Sequence, residues 1–365
     1  MKEQLIIVGS TAHSLINFRY DLILESSKKY EVTAISKDYD LSVKKKLNKI
    51  KVNYFNFGYK KKSIYNELTS FLNLKKIFKK SLNGKIISYT LRSNIFCGII
   101  SLFTKNVIHY PMITGLGNIY LTRNDSTLSY LNYIILLIFL KISLINSKKI
   151  IFQNYSDKFF FDNSVIKKKS LVISGSGVNT KKFKILSYPK KITFLMISRI
   201  IKNKGIETFL KASKDLKKKY KNINFIFAGK KNDYFSLDYE SIFKLKKDSG
   251  VIFLDWKKDV KKILSKSSVF VLLSKREGMS RSILEAMSCG RSIITTNVPG
   301  CKETVKNNFN GYKITYNDIN ELKQSIKKYI DNPNLISRLG KNSRKLAIKK
   351  FDVQIVNSKI LKFIK

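Results

Sequence analysis

Short apolar runs alternate with longer segments in which apolar residues recur every three or four positions, from one end of the chain to the other. In the first half, six such runs predict strands: "QLIIVGS" (4–10), "EVTAIS" (31–36), "VNYFNF" (52–57), "KIISYT" (85–90), "VIHYPMI" (107–113) and "KIIFQN" (149–154). Buried apolar runs that alternate with helical segments such as "SLINFRYDLILESSKKY" are typical of a parallel sheet covered by helices. This pattern predicts a doubly wound α/β domain.

The same rhythm restarts after residue 180 and predicts a second set of strands: "KITFLMISRI" (191–200), "INFIFAGK" (223–230), "VIFLDW" (251–256), "VFVLLS" (269–274), "SIITTN" (292–297) and "GYKITY" (311–316). The segment "KKFKILSYPKK", which contains a proline and lacks periodicity, reads as a linker. We therefore expect Rossmann-like domains at 1–183 and 184–350, and a helix at 351–365 for which a return to the N-terminal domain is one option. Two such domains facing a central cleft would place their strand ends where α/β folds bind ligands.

Charge and cysteine usage narrow the function classes. The 365 residues include 71 Lys plus Arg against 25 Asp plus Glu, a formal net charge of +46. A nucleic-acid face, anionic lipid headgroups or a merely lysine-rich composition could each explain it. Nucleic acid ranks last, because arginine, which reads bases by bidentate contacts, is scarce beside lysine. Cys97, Cys289 and Cys301 lack metal-ligand spacing, and His13 and His109 are the only histidines, so we expect no metal and a cytoplasmic location.

The most apolar stretch of the chain is "YLNYIILLIFLKISLI" at 130–145. It is shorter than the roughly 20 apolar residues of a spanning helix and contains Lys141. Two placements remain open for it. It could be a helix buried in the first domain, or one that lies in a membrane interface with its lysine neighbours on lipid headgroups.

Two glutamates stand out in "KREGMSRSILEAMSCG" (275–290), because acidic residues are rare in this chain. The segment follows a predicted strand, so Glu277 lies in the loop at its carboxyl end and Glu285 in the first turns of the next helix. Free N–H groups at such a helix start can bind an anion. The structural alternatives are an exposed loop acid for Glu277 and, for Glu285, a capping box with Ser282.

A pair of cations forms the second candidate feature. In "ISRIIKNKGIETFL", Arg199 follows a predicted strand and Lys204 precedes Gly205, which opens a helix. The guanidinium offers a fork of donors to phosphate oxygens and the ammonium a mobile point charge, so the pair suits a diphosphate. Ordinary surface basicity is the alternative, above all for Lys204.

These segments resemble the retaining glycosyltransferases of family 4, which have the GT-B fold. "EGMSRSILEAMSCGRSIITTNVPG" is similar to the family signature of two glutamates separated by seven residues, and "SRIIKNKGIETFL" to its phosphate-binding segment. "ISGSGVNTKKF" (173–183), "FQNYSDKFF" (152–160) and "HYPMITGLGNIYL" (109–121) resemble segments of members that build bacterial surface polysaccharides. The resemblance covers nearly the whole chain. The sequence departs from the family pattern at Asn179, where Asp is usual, and at Thr114, where many relatives carry His.

The resemblance implies a role for each matching position. Glu277, Arg199 and Lys204 would be catalytic, Glu277 lying by the donor sugar and the two cations holding the leaving diphosphate. The donor would be bound by Glu285, on the ribose hydroxyls, and by Gly278, Met279, Ser280, Arg199 and Lys204. A second set would form the acceptor or diphosphate loop: Gly9, Ser10, His13, Ser14, Arg19, Thr114 and Gly115. No cofactor is expected, and the DxD-like "DYD" at 38–40 reads as a turn.

The implied function is metal-independent, retaining transfer of a hexose or N-acetylhexosamine from a nucleotide sugar, UDP-linked by preference. The expected acceptor is a lipid-linked saccharide of capsule, O-antigen, lipopolysaccharide or related glycan synthesis, which predicts an enzyme peripheral on the inner face of the cytoplasmic membrane. Two alternatives stay open. The acceptor could be soluble or of the lipid A type, or the chain could be a non-catalytic nucleic-acid-binding or scaffold protein that keeps the fold.

Overall fold

The computed structural model describes residues 2–58, 63–80, 84–104, 106–117, 120, 123, 125–161, 163–229, 239–255 and 259–365. The chain folds into two compact units. The first unit comprises residues 1–176 together with 353–365, and the second comprises residues 177–352. Each unit is built on one parallel sheet with helices on both faces, so the α/β prediction is confirmed.

The sheet of the first unit has seven strands in the order β3-β2-β1-β4-β5-β6-β7. All of its pairings are parallel. The six predicted strands are present, and a further edge strand was missed because it is short and follows a run of lysines. The bounds are β1 Gln4–Gly9, β2 Glu31–Ser36, β3 Asn53–Asn56, β4 Gly84–Tyr89, β5 Val107–Ile113, β6 Ile150–Phe152 and β7 Ser170–Val172.

Helices cover both faces of this sheet, as the side chains of β1 show. Leu5 and Ile7 pack into a core cluster with α1, α2, α3 and the last helix, α15, whereas Ile6 and Val8 pack with α4 and α5. The segment predicted as one helix over 14–30 is broken at Arg19, whose backbone leaves the helical region. The bounds are α1 Ala12–Phe18, α2 Tyr20–Ser27, α3 Leu41–Asn48, α4 Ile64–Lys79, α5 Leu91–Leu102, α6 Thr127–Asn146, α7 Tyr155–Phe160, α8 Ser164–Lys168 and α15 Val353–Phe363.

The apolar helix α6 lies on the same face as α4 and α5 and packs against α5. Only Leu140, Ser143 and Leu144 are buried on it, so of the two placements left open, burial in the first domain applies only to the side of the helix that faces α5. Six exposed apolar residues follow one another at intervals of three and four along that side: Leu128, Leu131, Ile135, Ile138, Ile142 and Ile145. By length and composition alone the helix could cross a membrane, with a mean hydropathy of 2.0.

The sheet of the second unit has six strands in the order β10-β9-β8-β11-β12-β13, all predicted from the sequence. Its strands are β8 Ile192–Ile197, β9 Ile223–Gly229, β10 Ile252–Asp255, β11 Val269–Leu272, β12 Ser292–Thr296 and β13 Gly311–Ile314. The α-helices are α9 Ile206–Lys219, α10 Tyr239–Ser249, α11 Val260–Leu264, α12 Arg281–Ser288, α13 Ile319–Asp331 and α14 Asn334–Phe351. Short 3₁₀ turns occupy Lys202–Lys204 and Lys302–Thr304.

Candidate functional site

The predicted donor residues lie at one edge of the second sheet. Strands β8, β11 and β12 are adjacent and parallel, so the loops that follow them emerge at the same edge. Arg199 and Lys204 follow β8, and Glu277 to Ser280 follow β11. The turn after β12, which contains Gly300, reaches the same place. This is where doubly wound folds bind their ligands.

Lys204 and Glu277 form an ion pair in this edge. The Nζ of Lys204 lies 2.5 Å from Oε1 of Glu277, and the hydroxyl of Ser274 donates to the same oxygen at 2.7 Å. Both side chains are largely shielded from water, so the pair is stronger than an exposed one. Gly205, in the left-handed conformation, lets the chain turn close under Leu273 and so brings Lys204 to the loop. The sequence predicted both residues for the site but not their direct contact.

Arg199 is placed differently from Lys204. It is exposed, two residues beyond the end of β8, and its guanidinium makes no hydrogen bond or ion pair with the described residues. Its backbone carbonyl accepts from the N–H of Ile201, which fixes the turn that carries it. Arg199 and Lys204 belong to the same segment after β8, and the exposed guanidinium of Arg199 has donors available for an anion.

The loop between Glu277 and α12 carries the other predicted donor contacts. Gly278 and Met279 are partly exposed, and Met279 packs against the core under the loop. Ser280 is the N-cap residue of α12, although its side chain makes no capping hydrogen bond. The loop therefore ends at the start of a helix that Ser280 does not cap with its side chain, and the N-terminus of a helix is a place that suits an anion.

Glu285 lies inside α12 and is almost completely buried. Its Oε1 accepts from Nε of Arg281 at 2.8 Å, one helical turn earlier. Burial raises the pKa of the Glu285 carboxyl, an effect that the charges of Arg281 and Lys182 oppose. The capping-box alternative is wrong, because α12 begins at Arg281 and Ser282 is already inside the helix. The carboxylate of Glu285 therefore does not cap the helix, and Arg281 orients it.

The first loop of the N-terminal unit is tied to the end of β4. Ser10 hydrogen-bonds Thr90, and Ser14 Oγ lies 2.9 Å from the hydroxyl of Tyr89. Gly9 approaches Tyr89 so closely that a Cβ there would lie 2.2 Å from the same hydroxyl. Arg19 is buried in this unit, where its guanidinium lies 4.8 Å from the ring centroid of Tyr89 and donates to Ser176.

His13 begins the same region but faces solvent, with its Nε2 3.3 Å from Oδ2 of Asp40. Asp38 and Asp40 of the "DYD" segment serve the backbone: Asp38 accepts from the N–H of Ala12, and Asp40 caps α3. The "DYD" turn interpretation therefore fits the contacts. Within the described ranges, no group of three or more His, Cys, Asp or Glu could hold a metal ion.

Thr114 and Gly115 follow β5, where Gly115 adopts a positive φ of 114°. His109 lies within β5 and is buried, with Nε2 2.7 Å from Ser88 Oγ. Burial lowers the pKa of His109 to about 3, so it stays neutral at physiological pH. It is a packed histidine of the sheet, as its position in a strand indicated.

Several residues of this edge were not found from the sequence: Ser274, Arg281, Gly300 and Glu303. Ser274 and Arg281 hold the two signature glutamates, and Gly300 with Glu303 forms the turn beneath the donor loop. A serine that follows a strand carries no signal that distinguishes it from other serines. The i to i+4 spacing of Arg281 and Glu285 on one helix face could have revealed that pair.

Comparisons with known proteins show which proteins the chain is similar to. Residues 177–346 match the family described as glycosyl transferases group 1. The chain is 26% identical to the N,N'-diacetylbacillosaminyl-diphospho-undecaprenol alpha-1,3-N-acetylgalactosaminyltransferase of Campylobacter jejuni, over 97% of each chain. It is 25% identical to the capsular polysaccharide biosynthesis glycosyltransferase CapM of Staphylococcus aureus, over 80% of each. The structure of Anabaena Alr3699/HepE in complex with UDP-glucose superposes with a TM-score of 0.79 at 16% identity, over 98% of each chain.

The two doubly wound units and the superposition with the Anabaena structure identify the fold as GT-B. Together with the match of residues 177–346 and the curated relatives, this fold makes the chain a glycosyltransferase that is similar to those of family 4 and of bacterial polysaccharide synthesis.

Proposed function

We propose that the protein is a retaining glycosyltransferase that moves a hexose or N-acetylhexosamine from a UDP-linked sugar to a lipid-linked saccharide, for capsule, O-antigen or a related glycan. The observation that carries this proposal is the shared strand edge of Arg199, the Lys204–Glu277 pair and Glu285. The relatives support the acceptor class, since one acts on a diphospho-undecaprenol saccharide and another serves capsule synthesis.

Arg199 and Lys204 would stabilise the leaving group. Breaking the bond between the sugar and the nucleoside diphosphate develops negative charge on the phosphate oxygen. Cations already held at that position lower the barrier because they need no rearrangement as the charge forms. Lys204 is held by Glu277, whereas the exposed Arg199 has its donors available.

The two glutamates would take separate parts of the donor. Glu285, oriented by Arg281, would accept hydrogen bonds from the ribose hydroxyls. Glu277 uses Oε1 for Lys204 and Ser274, so its second oxygen is the one that would meet a hydroxyl of the sugar. In this arrangement neither glutamate is a nucleophile.

Retention then follows from attack on the same face as the departing group. The acceptor hydroxyl bonds to the anomeric carbon, the bond to the phosphate oxygen breaks, and that oxygen takes the hydroxyl proton. The sugar passes through an oxocarbenium-like state, as in glycoside hydrolysis. Atoms and charge balance without a base or nucleophile from the protein.

A membrane location is proposed from the outer face of α4, α5 and α6. The stripe of α6 from Leu128 to Ile145 is exposed, and α4 on the other side of α5 exposes Tyr65, Leu68 and Leu72. The exposed lysines Lys76, Lys79 and Lys80 end α4. Apolar side chains flanked by lysines are typical of helices that lie in a membrane interface.

The charge of the whole chain favours lipid over a second copy as the occupant of this face. Two copies, each with a formal charge of +46, would repel one another, whereas an anionic leaflet attracts each Lys or Arg near its surface by about 1 kcal/mol. We therefore propose a cytoplasmic enzyme, peripheral on the inner face of the cytoplasmic membrane.

The enzyme assignment can be tested with a panel of UDP-sugars, following UDP release with and without an undecaprenyl-diphosphate saccharide. We expect the wild type to release UDP and Arg199→Ala to lose about a hundredfold or more in kcat, as for other preorganised charge-stabilising donors. Lys211→Ala, which removes an exposed lysine from α9, is the matched control and should retain activity. Equal activity of Arg199→Ala and Lys211→Ala would remove Arg199 from the site.

A further inference from the structure

The loop from Glu277 to Ser280 is hydrogen-bonded at both ends to one short turn. The N–H of Glu277 donates to the carbonyl of Pro299 at 2.9 Å, and the N–H of Ser280 donates to the carbonyl of Gly300 at 3.3 Å. Pro299 and Gly300 follow β12, the strand next to β11. The position of the proposed donor loop is therefore set by a turn from another strand.

That turn is itself held by Glu303. The N–H of Gly300 donates to Oε2 of Glu303 at 2.8 Å. This resembles one half of a capping box, in which a glutamate reaches back to the N–H that starts a helical turn, here the 3₁₀ turn Lys302–Thr304. The other oxygen, Oε1, is buried and lacks a hydrogen-bond partner in the described part of the chain. A buried carboxylate oxygen without a partner is costly, and the bond to Gly300 is the contact that Oε2 makes.

The backbone of the turn and the backbone of the loop are in close contact. Gly300 has a φ of 79°, and a Cβ on it would lie 2.2 Å from the carbonyl oxygen of Glu277. Because the turn touches the residue that also holds Lys204, a small displacement of Gly300 would move the Glu277–Lys204 pair with the loop backbone. Misplacement of about 1 Å is enough to impair a reaction that depends on positioning.

We propose that Glu303 is a positioning residue for donor binding, which acts through Gly300 to hold the loop from Glu277 to Ser280 against the nucleotide sugar. This inference rests on the proposed function. Glu303 lies outside the signature segment, and in this proposal it acts on Glu277 only through its hydrogen bond to Gly300.

The first test needs no ligand. Amide hydrogen exchange should become faster at Glu277 and Ser280 in Glu303→Ala, because their acceptors belong to the released turn. Glu303→Gln retains an acceptor for the Gly300 N–H and should exchange like the wild type. Glu321→Ala is the matched control, since it removes an equivalent bond, to the N–H of Thr315, from another turn of the same unit. Unchanged exchange at Glu277 and Ser280 in Glu303→Ala would overturn the proposal.

The second test measures donor use with UDP-N-acetylgalactosamine and binding of UMP, which lacks both the β-phosphate and the transferred sugar. Glu303→Ala should raise the donor KM about tenfold or more while the Kd for UMP stays unchanged; Glu303→Gln should restore the KM. Gly300→Ala places a Cβ against the carbonyl oxygen of Glu277, which displaces the loop, so it should give the same increase in KM. A residue with only a structural role would lower the active fraction, and hence kcat, at constant KM.

The outcomes separate the two proposals. A wild type that neither binds nor uses any UDP-sugar overturns the proposed donor and with it the role of Glu303. A wild type that is active, with Glu303→Ala unchanged in KM or Glu303→Gln as impaired as Glu303→Ala, overturns the role of Glu303 alone.

Discussion

At the scale of single residues, Glu285 is a buried carboxylate whose proposed ligand is the ribose of the donor. It is nearly inaccessible in α12, and Arg281 keeps one of its oxygens in an ion pair. A hydrogen bond to a charged group contributes about 1.5–3 kcal/mol. We therefore expect Glu285→Gln to weaken UDP binding about ten- to a hundredfold, measured by calorimetry near neutral pH. Glu321→Gln, at the surface of the same unit, should bind UDP like the wild type, and equal affinities for all three would exclude a ribose contact at Glu285.

The raised pKa of Glu285 adds a pH dependence to this prediction. In the proposed role, the Glu285 carboxyl accepts from the ribose hydroxyls more strongly when it is ionised. Its contribution to UDP binding is therefore complete well above the folded pKa and weakens as the pH falls through it. Because burial raises that pKa above the ordinary 4.5, the loss should begin at a higher pH than for an exposed glutamate. The Kd of Glu285→Gln for UDP divided by the Kd of the wild type should therefore fall as the pH is lowered from neutrality. The titration of UDP itself affects both proteins equally and cancels in this ratio.

His109 provides a test of stability that is independent of the donor site. Its pKa falls from 6.5 in the unfolded chain to about 3 in the fold. Between these values only the unfolded chain takes up the proton, so stability is complete above about pH 6.5 and falls as the pH decreases. At about pH 5.5 the loss amounts to about 1.4 kcal/mol. The free energy of unfolding should therefore fall less in His109→Gln than in the wild type between about pH 7.5 and 5.5. An equal fall in the two proteins would show that His109 is protonated in the fold.

At the scale of secondary-structure elements, the outer side of α6 makes the next prediction. Ile135 and Ile138 are exposed at the centre of its apolar stripe. The double variant Ile135→Ser/Ile138→Ser should weaken binding to phosphatidylglycerol vesicles about tenfold or more, because two apolar side chains no longer enter the interface. Its melting temperature should not fall, since neither side chain is part of the core.

Ile348→Ser is the control for this element, because it removes an exposed isoleucine from α14 of the second unit and should leave vesicle binding intact. Vesicle binding that is equal in all three proteins would remove α6 from the membrane contact. A wild-type dimer in sedimentation that the double variant abolishes would instead assign the stripe to a second copy of the chain.

The elements also show what local sequence can predict. Buried strands such as β8 and β11 were found because a parallel strand covered on both faces must be apolar throughout. Strand β7 was missed because three partly exposed residues carry no such pattern. The break between α1 and α2 was missed because Arg19 is an acceptable helix residue, and its burial against Tyr89 is a tertiary contact.

The candidate site divides in the same way. Glu277, Glu285, Arg199 and Lys204 were predicted from their position after strands, and the signature resemblance gave them roles. The hydrogen bonds that orient them were not predicted: Ser274 on Glu277, Arg281 on Glu285 and Glu303 on Gly300. Such bonds depend on which loops lie close together at the edge of the sheet. Gly300 and Glu277, for example, are distant in sequence and come together because the strands before them, β12 and β11, are adjacent.

At the scale of the whole molecule, the charge of +46 allows two kinds of anionic surface, a membrane leaflet and a nucleic acid. Only the leaflet can also accept the apolar side chains of α6, so the two surfaces should respond differently to salt. At about 0.15 M ionic strength the Debye length is about 8 Å, which weakens purely electrostatic attachment, whereas apolar burial is retained.

We therefore expect binding to phosphatidylglycerol vesicles to decrease with salt but to persist above about 0.15 M, and binding to duplex DNA to fall steeply with a slope set by the phosphates contacted. At low salt the protein should bind neutral phosphatidylcholine vesicles more weakly than anionic ones. The two affinities should converge as the salt concentration rises, because the apolar contribution to binding is the same for both. Cosedimentation over a salt series measures all three. Tighter binding to DNA than to anionic vesicles at about 0.15 M would favour the nucleic-acid alternative, and loss of vesicle binding at that salt would leave the apolar side of α6 without its proposed partner.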